Sequence, residues 1–133
     1  MDRTSLAWAS FILLLAVAFG AFGAHGLKAR IDVNALSQWN TAVQYQFYHG
    51  LAIFGLALLA DRITPKRSRL ARSVFLLGIA LFCGSLYLLS TRSITGLHGI
   101  TPILGPITPL GGLFFIGGWL LLFITALRTD RSH

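Results

Sequence analysis

The sequence predicts an all-α membrane protein, a bundle of four transmembrane helices forming one domain over residues 1–133. Three observations predict it. Of the 133 residues, 55% are apolar and 11% charged, with a mean hydropathy of +0.72; an ordinary soluble domain carries about 25% charged residues. Long stretches carry no formal charge, and the eleven Lys or Arg and four Asp or Glu collect between them. So few charges cannot coat a soluble globule of this size. That excludes a soluble enzyme, a disordered chain and a nucleic-acid-binding domain of the usual kind.

The elements follow in order. Thr4 to Ala24 is a charge-free run of 21 residues; a spanning helix needs about 20, which places the first helix at 5–25. Arg3, the apolar run and the small Ala21 and Gly23 are also the ingredients of a signal peptide. The run is long for a signal's apolar region, so a retained span is expected. Val33 to Ala60 gives 28 uncharged residues and a helix at 40–60; Ser73 to Thr91 gives 19 and a helix at 73–91. Ser93 to Leu127 is uncharged for 35 residues but holds three of the four prolines. Its first part, to Pro109, reads as a loop, and the fourth helix is placed at 110–127. The loop repeats itself: Ile100-Thr101-Pro102-Ile103-Leu104-Gly105, then Ile107-Thr108-Pro109-Leu110-Gly111-Gly112. Proline fixes φ and lacks an N–H, so each Thr-Pro suits a turn or a first helical residue. The loop is expected to fold onto the outer end of the bundle, in its sharpest form as a re-entrant lid.

The charges then sort by side. Arg3, Arg62, Lys66, Arg67, Arg69, Arg72, Arg128 and Arg131 share one face, eight residues against Lys28, Arg30 and Arg92 on the other. Positive charge stays on the cytoplasmic side, so both termini are expected in the cytoplasm. Arg62, Lys66, Arg67, Arg69 and Arg72 form a basic loop that anchors topology and contacts anionic lipid head groups, at roughly 1 kcal/mol per charge. No aromatic residue is interleaved with them, so no nucleic-acid partner is expected.

Helix two carries the polar exception. Gln38, Thr41, Tyr45, Tyr48 and His49 fall at helical spacing on one face of its outer half, beside Gln46, while Leu51 to Ala60 is apolar. With each helix centre as the midplane, His49 lies about 3 Å to the outer side, Tyr45 about 9 Å and His25 about 15 Å. On the third helix Ser85 lies about 4 Å out and Tyr87 about 8 Å; Trp119 is near the midplane. His25, Tyr45, Gln46, Tyr48, His49, Ser85, Tyr87 and Trp119 thus form a polar layer in the outer leaflet. It serves either as an interhelical hydrogen-bond network or as an outward-facing polar cavity for a proton or small solute.

No cofactor or metal is expected. His25 and His49 differ by about 12 Å in depth, no His-x-x-x-His pair exists, and Cys83 is alone. No catalytic constellation stands out: Asp2, Asp32, Asp61 and Asp130 sit at span ends, and Ser85 lacks the context of a nucleophile. Small residues recur where helices would touch. Ala16, Gly20, Gly23 and Ala24 on helix one, Gly78 and Gly84 on helix three, and Gly111, Gly112, Gly117 and Gly118 on helix four are the expected packing positions, with Gly20, Gly23, Gly84, Gly111 and Gly112 foremost, since close backbone approach drives association in lipid.

Several segments, in this order and spacing, resemble a known family. They are Gly20-Ala21-Phe22-Gly23-Ala24-His25-Gly26, Tyr45-Gln46-Phe47-Tyr48-His49, Leu81-Phe82-Cys83-Gly84-Ser85-Leu86-Tyr87, and Thr108-Pro109-Leu110-Gly111-Gly112 with Phe115 and Gly118-Trp119. Over nearly the whole chain they look like the YgdD-like small inner-membrane proteins, domain of unknown function 423. The chain departs from that pattern in a longer third loop, with the first Thr-Pro copy, and in Cys83. The resemblance implies a four-helix protein of the bacterial inner membrane, without an established activity. The expected role is non-enzymatic: a membrane-structural or accessory protein packing with lipids or partner membrane proteins, as a homo-oligomer or within a larger complex. The alternative is a small carrier or channel working through the polar cavity near His49.

Overall fold

Asp2 starts the first helix. Its side chain accepts hydrogen bonds from the Thr4 and Ser5 amides, satisfying two of the donors that a helix start leaves open, and α1 runs over Arg3–Phe22. In the computed structural model, which describes residues 1–129, every regular element among those residues is helical. A wide π turn, Gly23–Leu27, extends α1. Asp32 caps α2, Val33–Leu58, by accepting from the Ala35 amide at 2.8 Å. Pro65 opens α3, Pro65–Gly78, in the first turn where its missing N–H costs nothing. A second π turn, Ile79–Cys83, joins α3 to α4, Gly84–Ser90, in one continuous rod. A short α5, Arg92–Thr95, ends on Gly96 at φ +73°, a left-handed conformation that glycine adopts without strain. A single 3-10 turn, His98–Ile100, then leads into α6, Thr101–Thr129. Arg131 and His133 lie outside the described residues.

Three of these boundaries correct the sequence reading. Helix two begins at Val33 rather than 40, because the Asp32 cap and not the onset of apolar sequence sets its start. Helix three begins at Pro65 rather than 73, so Lys66, Arg67, Arg69 and Arg72 lie in its first turns instead of in a loop. The expected loop up to Pro109 is helical from Thr101 onward, with Pro106 and Pro109 inside α6. No lid forms there. Pro102 falls in the first turn, where no intrahelical bond is lost. Further along, helical backbone satisfies itself in surroundings without water better than an open loop would.

The rods run antiparallel. α1 packs on α2, α2 on the α3–α4 rod, and that rod on α6. The Asp2 amide donates to the Ala57 carbonyl, fixing the start of α1 against the end of α2. Ile12, Ala42, Ile53, Leu56, Phe75, Ile79 and Phe115 form the larger buried core; Leu27, Trp39 and Val43 form a smaller one at the other end. Three helical stretches are long and apolar enough to cross a membrane: Arg3–Leu27, Pro65–Ser90 and His98–Arg128. α2 matches them in length, but from Val33 to Gln46 it carries Asn34, Ser37, Gln38, Asn40, Gln44 and Gln46.

Candidate functional site

The buried stripe of α2 consists of Trp39, Ala42, Val43, Gln46, His49, Gly50 and Ile53, the three-and-four spacing of one helix face. It is displaced by one residue from the polar face read in the sequence. His49 belongs to both registers, so periodicity alone could not choose. The consequence is that Gln46 is 2% exposed whereas Tyr48 is 55% exposed. Tyr45 is partly exposed, with its ring on Phe82 at 4.6 Å between centroids. His25, in the π turn, is exposed. Thr41 turns its hydroxyl back onto the Ser37 carbonyl.

The expected single polar layer is instead a set of separate pairs, each joining two rods. Gln46 stands between α1 and α4. Its amide nitrogen donates to the Ile12 carbonyl at 3.0 Å, and its Oε1 accepts from the Tyr87 hydroxyl at 2.6 Å. Trp39 donates its indole N–H to the Phe19 carbonyl at 2.8 Å and lies against Tyr87, 4.5 Å between centroids. Ser85 meets Thr108 of α6 at 2.6 Å, hydroxyl to hydroxyl, and also donates to the Phe82 carbonyl. Thr108 was hidden from the sequence reading because its segment was assigned to a loop.

His49 joins α2 to α6. Its Nδ1 lies 2.7 Å from the Tyr45 carbonyl, and the Trp119 indole N–H lies 3.1 Å from its Nε2. A carbonyl only accepts and an indole N–H only donates. The network therefore assigns the neutral tautomer with hydrogen on Nδ1, Nε2 being the acceptor. The imidazole stacks on Phe115 with centroids 3.5 Å apart and planes 9° from parallel, and Phe75 closes another side at 5.5 Å. His49 as a whole is 4% exposed. Both nitrogens are occupied by the protein itself, so Nε2 is not presented to a substrate.

The close approaches of the helices complete the site. A family described as a protein of unknown function, DUF423, matches residues 19–112. The chain belongs to the DUF423 family. It is 46% identical over 116 residues to the UPF0382 membrane protein YwdK of Bacillus subtilis, covering 86% of this chain and 89% of that one. A UPF0382 membrane protein of Haemophilus influenzae is 42% identical over 80% of this chain and 79% of its own. The UPF0382 membrane protein C1782.12c of Schizosaccharomyces pombe is 36% identical over 84% and 91%. No solved structure matches the chain. The DUF423 relatives are thus membrane proteins without an assigned activity, in bacteria and in a yeast.

In this DUF423 chain the expected glycine positions divide. A Cβ on Gly23 would stand 2.6 Å from the Trp39 ring, and one on Gly111 would stand 2.8 Å from the Phe82 Cα. At Gly20 a Cβ would make an ordinary 3.4 Å contact with Val43. Gly84 and Gly112 are corrected: a Cβ on Gly84 meets nothing within 4 Å, and on Gly112 only Phe82 at 3.9 Å. A Cβ on Gly78 would stand 2.5 Å from Phe115, one on Gly118 2.5 Å from Phe75, and one on Gly50, outside the expected set, 2.9 Å from Leu13. Which glycines touch depends on the rotation of each rod, information that spacing does not carry.

Arg72 is the other correction. It was placed among the head-group contacts, but its side chain is 13% exposed and turned inward. Its Nη1 lies 3.0 Å from Asp2 Oδ2 and donates to the Ser5 hydroxyl at 2.9 Å; that hydroxyl donates to Asp2 Oδ2 at 2.6 Å. The Ser5 hydroxyl bond, against the opposing effect of burial, holds the Asp2 carboxyl below its ordinary value, with the Ser5 and Thr4 amides and Arg72 helping. Lys66 and Arg69 are exposed, as is Arg62, and Arg67 is half-buried.

Proposed function

We propose that this DUF423 protein crosses the bacterial inner membrane four times, α2 included, with both termini in the cytoplasm. On this reading it acts without catalysis, as a membrane-structural or accessory protein packing with lipids or with partner membrane proteins. Two features support the topology. The polar groups deepest in α2, Gln46 and His49, are buried and paired between rods, which removes the cost of carrying them through hydrocarbon. The basic residues Arg3, Arg62, Lys66, Arg67, Arg69, Arg72 and Arg128 share one end of the rods.

The observation that carries the non-catalytic role is the occupation of His49 by Trp119 and the Tyr45 carbonyl. A proton carrier needs an imidazole that water reaches; this one is walled by Phe75 and Phe115. The experiment is proton flux into vesicles containing the purified protein and an internal pH dye. Flux at the level of protein-free vesicles is expected. A flux that disappears in His49→Phe would overturn the role and restore the carrier. Reporter fusions after Arg128 and at Gly96 test the orientation, with the first expected to be cytoplasmic and the second external.

A further inference from the structure

α2 and α6 meet at His49 and Trp119 and part toward the basic end of the rods. The gap is a groove of about 480 Å³ with walls from Gly55, Leu56 and Leu59 on one side and Trp119 and Leu122 on the other. Its volume lies within the roughly 300–1,000 Å³ of small-molecule sites. Three details shape it. Trp119 closes the deep end and is fixed there by its bond to His49. Gly55 keeps one wall open, since a Cβ there would meet nothing within 4 Å. Thr125 turns its hydroxyl onto the Leu121 carbonyl at 2.7 Å, so the wall it contributes is apolar. At the mouth stands Arg62, exposed. Among the described residues the one ion pair is that of Arg72 with Asp2, and the Arg62 guanidinium has no carboxylate partner among them.

We infer that this groove binds one acyl chain of an anionic phospholipid, with Arg62 holding its phosphate. The groove is apolar along its length and cationic at its opening, the order of chemistry along such a lipid from chain to head group. From Trp119 to Ala126 it extends about 10 Å along α6, about 5 Å short of the roughly 15 Å of half a hydrocarbon core, a gap that the long Arg62 side chain spans by reaching outward to the head groups. A guanidinium offers a phosphate paired N–H donors where an ammonium offers a point charge. The inference rests on the proposed membrane topology and adds a bound lipid class to it.

Native mass spectrometry of the detergent-purified protein, supplied with equal phosphatidylglycerol and phosphatidylcholine, tests it. One retained phosphatidylglycerol is expected, favoured about fivefold over phosphatidylcholine, as one basic residue near the surface contributes. Arg62→Gln should bring the two lipids near parity. Gly55→Leu, which enters open space and should melt like the parent, should abolish retention of both. Lys66→Gln should leave the preference unchanged. Equal retention of the two lipids by the parent, or a preference that survives Gly55→Leu and falls in Lys66→Gln, would overturn the groove in favour of loose charge attraction at the basic end. A protein that stays monodisperse after detergent removal would overturn the membrane reading itself, and the lipid site with it.

Discussion

Trp119 donates its indole N–H to His49 Nε2 at 3.1 Å, across the junction of α6 and α2. The bond fixes a tautomer, closes one end of a groove and fills a position from which an imidazole could otherwise act. Trp119→Phe removes the donor and leaves Nε2 buried without one, a loss of about 1–3 kcal/mol for an unsatisfied buried group. Thermal melting in detergent should fall accordingly. In the parent, ¹⁵N spectra of His49 should report one neutral tautomer with hydrogen on Nδ1; the opposite tautomer would contradict the network.

Gln46 and Tyr87 permit a double-mutant cycle. Tyr87→Phe and Gln46→Leu should each destabilise the protein, Gln46→Leu more, because Gln46 also donates to the Ile12 carbonyl. Their coupling should be about 0.6 kcal/mol, in the range of interhelical bonds in membranes. Strict additivity would mean that the 2.6 Å contact contributes nothing.

The glycines give a contrast of sign. Gly111→Ala places a methyl group against the Phe82 backbone, and Gly118→Ala places one against the Phe75 ring. Overpacking of this kind costs about 1–3 kcal/mol. Gly84→Ala meets open space and should be neutral or stabilising by about 0.5–1 kcal/mol through helix propensity. Equal melting temperatures for the three variants would refute this account of how α6 approaches the α3–α4 rod.

Asp2 confers an acid sensitivity. Its folded-state value is lowered below 3.8, chiefly by the Ser5 hydroxyl. Its stabilising contribution is therefore full at pH values above 3.8 and is lost as pH falls through the lower folded value. Asp2→Ala removes the helix cap and the partner of Arg72, and should cost about 1 kcal/mol at neutral pH. The gap between the melting temperatures of parent and variant should narrow as the medium becomes more acid than pH 3.8; a constant gap would contradict it.

Membrane character and helical class were legible in the sequence because they follow from sums over residues: scarce charge, long uncharged runs, and basic residues confined to their ends. Polar side chains in α2 were legible too, because Gln46 and His49 lie in an uncharged run long enough to span a membrane. Their partners were not. Tyr87, Trp119 and the Ile12 carbonyl are far from them in the chain, and only the packing of the rods brings each into hydrogen-bond range. Helix ends followed caps rather than apolar onset: the Asp32 cap starts α2 at the very first residue of its uncharged run, and Pro65 starts α3 before its run begins. A local rule of helix breaking fails at Pro106 and Pro109, which lie inside α6, because in apolar surroundings a helix keeps its backbone groups paired better than a broken chain does. Composition thus determined the medium in which this chain folds. The rotation of each rod, settled only in the tertiary structure, decided that Gly111 rather than Gly112 meets Phe82 and that Arg72 turns to Asp2 rather than outward. Side-chain spacing repeats every turn, whereas steric fit between two particular surfaces selects one register.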